Sequence, residues 1–255
     1  MCFAFDSRPP ALPSDLALPP LAGGAAAELL ELQSGDGTRF SAARALPGAP
    51  GACGVVILPD VRGLYRFYVE LAERFAQAGH AAIAIDYFGR TAGVGERGED
   101  FEFWPHVMET TAAQVQADAA AAVAALRAEA GVDRVATVGF CFGGTQSFLA
   151  AANAGLGLDR VVGFYGSLES ERFPGLRPAQ QAGRMNGPVL GLFGGADEGI
   201  APEHVARFDA ALEAAGVDHE LVTYPGAPHS FFDRRYDDYA EACADAWRRV
   251  LAFLS

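Results

Sequence analysis

The sequence predicts an α/β protein, a single domain with a mostly parallel central sheet and helices on both faces. Three observations predict it. From Gly54 onward, short continuous apolar runs alternate with stretches of helical periodicity, the alternation expected of a parallel sheet covered on both faces. The stretches between the runs repeat apolar residues at helical spacing, as at Tyr68, Leu71, Ala72, Phe75 and Ala76. And 255 residues with 51% hydrophobic content suffice for one large packed core.

Taken in order, the first fifty residues carry Pro9-Pro10, Pro13, Pro19-Pro20 and Gly23-Gly24, which predict an extended lead-in. A hairpin turning at Gly35-Asp36-Gly37 follows, and both pack on the single domain 1–255. Strands are predicted at Gly54–Leu58, Ala81–Ile85, Arg134–Val138, Arg160–Phe164, Pro188–Phe193 and Glu220–Tyr224. After the Tyr68–Ala76 helix, an Ala-rich helix runs from Met108 to Ala128 and another from Thr145 to Ala152. Ala201-Pro202 opens one more through Ala215, with proline suited to a first helical turn. Tyr239, Ala242, Cys243, Ala246, Trp247 and Val250 mark the last helix. In such sheets ligands bind beyond the carboxyl ends of the strands, so the loops after Leu58, Ile85, Val138, Phe193 and Tyr224 are predicted to meet at one site.

Charge and composition remove several function classes. A net charge of −13 argues against nucleic acid or an anionic membrane as partner. All 19 basic residues are arginine, so a lysine Schiff base, a P-loop lysine and a Ser-Lys dyad are excluded. Cys2, Cys53, Cys141 and Cys243 form no C-x-x-C pair, which argues against a zinc knuckle or a dithiol redox centre and for reduced thiols. No apolar run approaches the ~18 residues of a membrane span, and Met1–Pro20 has no basic stretch leading into an apolar one. A cytoplasmic protein without cofactor or metal, monomeric or homodimeric, is expected.

The chemistry centres on Gly139-Phe140-Cys141-Phe142-Gly143-Gly144, which follows the run Val135–Val138 and opens a helix. This is the pattern of a nucleophile elbow with a thiol at its tip. The turn is so tight that small residues are needed two places before and after the nucleophile, where Gly139 and Gly143 stand. A helix N-terminus there favours a thiolate and a developing oxyanion. Two residues supply the remaining members of a triad in the chain order nucleophile, acid, histidine. Asp197 lies in Gly194-Gly195-Ala196-Asp197 after one buried strand, and His229 in Gly226-Ala227-Pro228-His229 after the last. The plain roles are a turn or cap residue for Asp197, with Glu198 as competitor, and an ordinary loop residue for His229. Cys53 and Cys243 read as small buried hydrophobes.

These segments, with Ile57-Leu58-Pro59-Asp60-Val61-Arg62-Gly63, Ile85-Asp86-Tyr87-Phe88-Gly89-Arg90, Gly163-Phe164-Tyr165-Gly166 and Ser230-Phe231, resemble the dienelactone hydrolase (carboxymethylenebutenolidase) family of the α/β-hydrolase fold over Gly54–Leu254. The resemblance implies a Cys141–His229–Asp197 triad and an oxyanion hole from the backbone N–H groups of Val61 and Phe142. It also implies an arginine, here Arg90, that pairs with a substrate carboxylate, a task suited to a guanidinium fork. The plain alternative for Arg90 is a loop salt bridge to Glu96 or Glu99. Asp60 stands where the family has a glutamate that accepts the thiol proton. The second family arginine, four residues after the histidine, is Asp233 here, with Arg234 one place later. Arg62 and Phe164 replace aromatic residues of the family pocket. Tyr87, Trp104 and Phe231 are expected to line an apolar pocket, and the Thr91–Trp104 segment is placed to act as a lid.

The reaction expected is thiolate attack on a small ester or lactone, with a thioester intermediate. A broad carboxylesterase or thioesterase without preference for anionic lactones is the alternative. A redox sensor or a non-catalytic receptor on the same scaffold is a more distant one.

Overall fold

A computed structural model of the chain describes residues 4–16, 26–48, 51, 53–169, 175–232 and 237–255. The hairpin is formed by β1 (Glu28–Gln33) and β2 (Arg39–Ala45), antiparallel to each other. The alternating part comprises β3 (Cys53–Leu58), α1 (Arg66–Gln77), β4 (Ala82–Ile85), the short α2 (Gly89–Ala92), α3 (Phe103–Glu109), α4 (Ala112–Ala130), β5 (Arg134–Phe140) and α5 (Phe142–Ala150). Then come β6 (Arg160–Phe164), β7 (Val189–Gly194), α6 (Pro202–Ala215), β8 (His219–Tyr224) and α7 (Ala240–Leu254). The 8-stranded sheet has the order β1-β2-β4-β3-β5-β6-β7-β8. It is parallel from β4 to β8, while β2 joins β4 antiparallel.

The continuous apolar runs are explained by burial on both faces. In β3, Val55 and Ile57 belong to a core shared with α1 and α7, whereas Val56 and Leu58 belong to a separate core shared with α4. Because strand side chains alternate, every residue of β3 is buried although each face takes only every second one. Phe75 of α1 meets Trp247 of α7 edge-on at 5.2 Å, closing the first core. The lead-in joins it where Pro10 accepts a hydrogen bond from Trp247 Nε1 at 3.3 Å.

The six predicted core strands all form, with ends shifted by at most two residues. One helix differs. The expected Met108–Ala128 helix begins instead at Ala112, because Thr111 and Gln114 form a reciprocal capping box and split off α3. The Thr145–Ala152 helix begins three residues earlier, directly after Cys141.

Candidate active site

The parallel strands deliver their following loops to one end of the sheet, and β5 delivers the elbow. Cys141 sits there at φ 55°, ψ −114°, a region that an L-residue occupies only when its surroundings hold it. What holds it is close backbone packing. A Cβ at Gly139 would run into the carbonyl of Gly143, and one at Gly143 into the carbonyls of Leu58 and Pro59. Cys141 N–H donates to Phe164 O at 3.0 Å, and Cys141 O accepts from Thr145 N at 3.1 Å, starting α5. Two further non-glycine residues with positive φ, Tyr165 and Ser230, lie beside it, so strain gathers at this end of the sheet.

The other two predicted members arrive together. Gly195 N–H donates to Tyr224 O (2.8 Å) and Ala196 N–H to Ala227 O (2.9 Å), which ties the loop after β7 to the loop after β8. His229 Nδ1 then donates to Asp197 Oδ2 at 2.6 Å, so its other ring nitrogen is the basic one. The carboxylate is almost fully buried and also accepts from Gly199 N–H at 2.9 Å through Oδ1. Cys141 and His229 border one cleft of about 200 Å³, together with Val61, Trp104, Phe142, Thr145, Tyr165, Ser167, Leu176, Gly199 and Ile200.

Not every expected residue lies at this cleft. Arg90 is engaged elsewhere. Its Nη1 and Nη2 form a fork on Asp118 of α4 (2.8 and 2.9 Å), its Nε reaches Asp36 of the hairpin turn (2.9 Å), and Nη2 also reaches Ser34 Oγ (3.1 Å). Neither Glu96 nor Glu99 is its partner; the carboxylates come from α4 and the hairpin turn. Burial raises the Asp118 carboxyl above its ordinary value, against the pull of Arg90. Tyr87 is buried and donates its hydroxyl to Pro59 O at 2.7 Å, with its ring edge-on to Phe142 at 5.6 Å; it props the elbow rather than lining the cleft. Phe231 is likewise buried, against Tyr165 and Tyr224. Asp60 is fully buried with its carboxylate on Arg62. Asp233 and Arg234 lie outside the described residues.

Sequence reasoning missed Tyr165 as a wall of the site. Its ring packs on that of His229 at 5.0 Å. Its place directly after β6, beside the elbow strand, was the available signal. The Thr91–Trp104 segment is anchored by Arg97, which pairs with buried Asp86 at 2.8 Å and lies over Phe101 at 4.8 Å. Among the described residues no cluster of His, Cys, Asp or Glu could hold a metal, and no helix is long and apolar enough to cross a membrane.

Comparison with known proteins agrees with this architecture. The model of the dienelactone hydrolase family matches residues 40–255. A candidate carboxymethylenebutenolidase of Methylorubrum extorquens is 31% identical over 236 residues, covering 90% of this chain and 80% of the relative. Among solved structures, a candidate dienelactone hydrolase from Klebsiella pneumoniae subsp. pneumoniae superposes with TM-score 0.74 at 29% identity, covering 89% of this chain and 98% of its own. A dienelactone hydrolase-like promiscuous phosphotriesterase from metagenomic libraries gives TM-score 0.73 at 26% identity, covering 90% and 98%.

Proposed function

The chain belongs to the dienelactone hydrolase family, and we propose that it works as a thiol-dependent hydrolase of small carboxylic esters or lactones. The observation that carries this reading is the meeting of Cys141, on its strained elbow, with the His229–Asp197 pair at one small cleft. His229 takes the thiol proton through the ring nitrogen that Asp197 leaves free, and Asp197 stabilises the imidazolium. The sulfur attacks the carbonyl carbon, a C–S bond forms, and the π electrons move to the oxygen, which the N–H groups of Val61 and Phe142 receive. Collapse breaks the ester C–O bond as His229 protonates the leaving oxygen. A water deprotonated by His229 then attacks the thioester, releasing the acid and restoring the thiol.

A specific observation favours uncharged substrates over anionic lactones. The arginine that the family resemblance assigns to a substrate carboxylate is held by Asp118 and Asp36, and the described cleft walls are apolar or neutral apart from His229. Hydrolysis of p-nitrophenyl acetate, of a carboxylate-bearing enol lactone and of that lactone's methyl ester tests both statements. The expected result is that Cys141→Ala abolishes all three activities, that the methyl ester is turned over at least as well as its acid, and that Arg90→Ala leaves their ratio unchanged. Preference for the acid that disappears in Arg90→Ala would restore the anionic-lactone assignment.

A further inference from the structure

The loop from β3 to α1 carries Val61, and its internal bonding is unusually complete. Asp60 N–H donates to Tyr68 Oη at 2.9 Å, Arg62 N–H to Asp60 Oδ1 at 2.8 Å, Gly63 N–H to Asp60 O at 3.2 Å, Leu64 N–H to Asp86 Oδ1 at 3.1 Å and Tyr65 N–H to Gly63 O at 3.0 Å. An Asx turn from the Asp60 side chain thus lies inside a β-turn from its carbonyl, with Gly63 at φ 74° closing the bend. Both turns close around the peptide N–H of Val61, the one residue of this run that borders the cleft.

The Asp60 carboxylate is also held from the side. Arg62 Nη2 donates to Oδ2 at 3.2 Å, and Nε lies 3.5 Å from Oδ1. The guanidinium sits 4.0 Å over the Tyr65 ring and bonds its hydroxyl, so it has little room to swing away. Burial works against the charge on Arg62, and the neighbouring Asp60 outweighs it, so the guanidinium holds its proton more tightly than an exposed one. A proton passed from Cys141 to Asp60 would strip Arg62 of its counter-charge in a buried setting and compete with the Asx turn.

We propose that Asp60 is a positioning residue, fixed by Arg62, which aims the Val61 N–H at the oxyanion, and that it is not the group that accepts the Cys141 proton. This rests on the thiol-hydrolase reading and assigns a different role to the acid than the family resemblance implies. Asparagine keeps the Asx acceptor but cannot serve as the base, whereas alanine has neither property. The test compares Asp60→Asn and Asp60→Ala in kcat and KM for p-nitrophenyl acetate, in the rate of Cys141 alkylation by iodoacetamide, and in affinity for an aryl trifluoromethyl ketone, whose adduct with a thiol carries an oxyanion. Asp60→Ala is expected to lose about 10²-fold in kcat, the scale of one oxyanion donor, with KM within about threefold. It should lose ketone affinity in parallel, with alkylation unchanged. Asp60→Asn should restore kcat to within a few-fold of wild type. Equal loss of kcat and slowed alkylation in both variants would overturn the proposal and make Asp60 the thiol base. If Asp60→Ala does not fold, Asp60→Asn decides alone, by keeping or losing turnover and alkylation. Cys141→Ala serves as control: activity surviving in it would sink the thiol reading itself, a separate failure.

Discussion

The elbow at Cys141 and the wall of residues 60–65 and 86–104, which brings Val61 and Trp104 to the same cleft, are built by different forces. The elbow is held by backbone against backbone, with Gly139 letting α5 come against β5 and Gly143 letting α5 come against the end of β3 more closely than any side chain permits. The wall is held by two buried aspartates, each with its own arginine: Asp60 with Arg62, and Asp86 with Arg97. Asp86 also accepts from Leu64 and Phe88 N–H, so one carboxylate pins the loop after β3, the start of α2 and the segment around Arg97 together. Close backbone packing tolerates no substitution and leaves a short local motif. The wall rests instead on side-chain pairs, each of which a single substitution can break.

The sharpest break should come from the elbow side. Cys141→Ala is expected to lower ester turnover by on the order of 10⁴-fold or more, and Asp197→Asn by roughly 10³- to 10⁴-fold by favouring the wrong tautomer of His229. In neither case should the melting temperature move by more than a few degrees. Steady-state kinetics with thermal melts would separate the two effects, and a large loss of stability in Cys141→Ala would contradict the idea that the sulfur is there for chemistry.

On the wall, Arg97→Ala strands the Asp86 charge in the interior. The expected cost is about 3–5 kcal/mol, a drop in melting temperature of roughly 6–20 °C, read by calorimetry. A change below about 1 kcal/mol would mean that water or another group already shares the Asp86 charge. Arg90→Ala should cost less, about 1–3 kcal/mol, through the orphaned Asp118 and the loosened hairpin, and should spare turnover of neutral esters.

These differences explain what was legible in the sequence. The strands and the elbow could be read because their constraints are local: a run buried on both faces must be apolar, and a turn that tight must have glycine at fixed places. The Asp197–His229 pair could be anticipated from chain order. Arg90 could not be placed, because its partners Asp118 and Asp36 come from a helix and a hairpin distant in sequence, and a guanidinium fork suits a protein carboxylate as well as a substrate one. The break before α4 was masked because Met108 and Glu109 are themselves good helix formers running on towards the Ala-rich stretch, and the capping box of Thr111 and Gln114 was the signal for it.

The smallest effects lie away from the cleft and sharpen the contrast. Burial holds His80 below its ordinary 6.5, although Nδ1 donates to Cys53 O at 3.0 Å. The unfolded chain therefore takes up this proton first. Stability is complete above about pH 6.5 and falls as pH drops from there through the folded-state value; His80→Gln should flatten that part of the curve in denaturant titrations at successive pH values. Burial likewise pushes the Cys53 thiol up to about 11. Native protein should therefore show no iodoacetamide adduct at Cys53 at pH 8, and labelling there equal to Cys141 would show that its strand opens readily.

The most direct test of the thiol mechanism is to quench the enzyme in acid during turnover of p-nitrophenyl acetate and map the acetyl group by peptide mass spectrometry. An acetyl thioester on Cys141, absent from Cys141→Ala, is the predicted result. An acetyl group mapped to another residue, with Cys141→Ala still turning over ester at the wild-type rate, would contradict it.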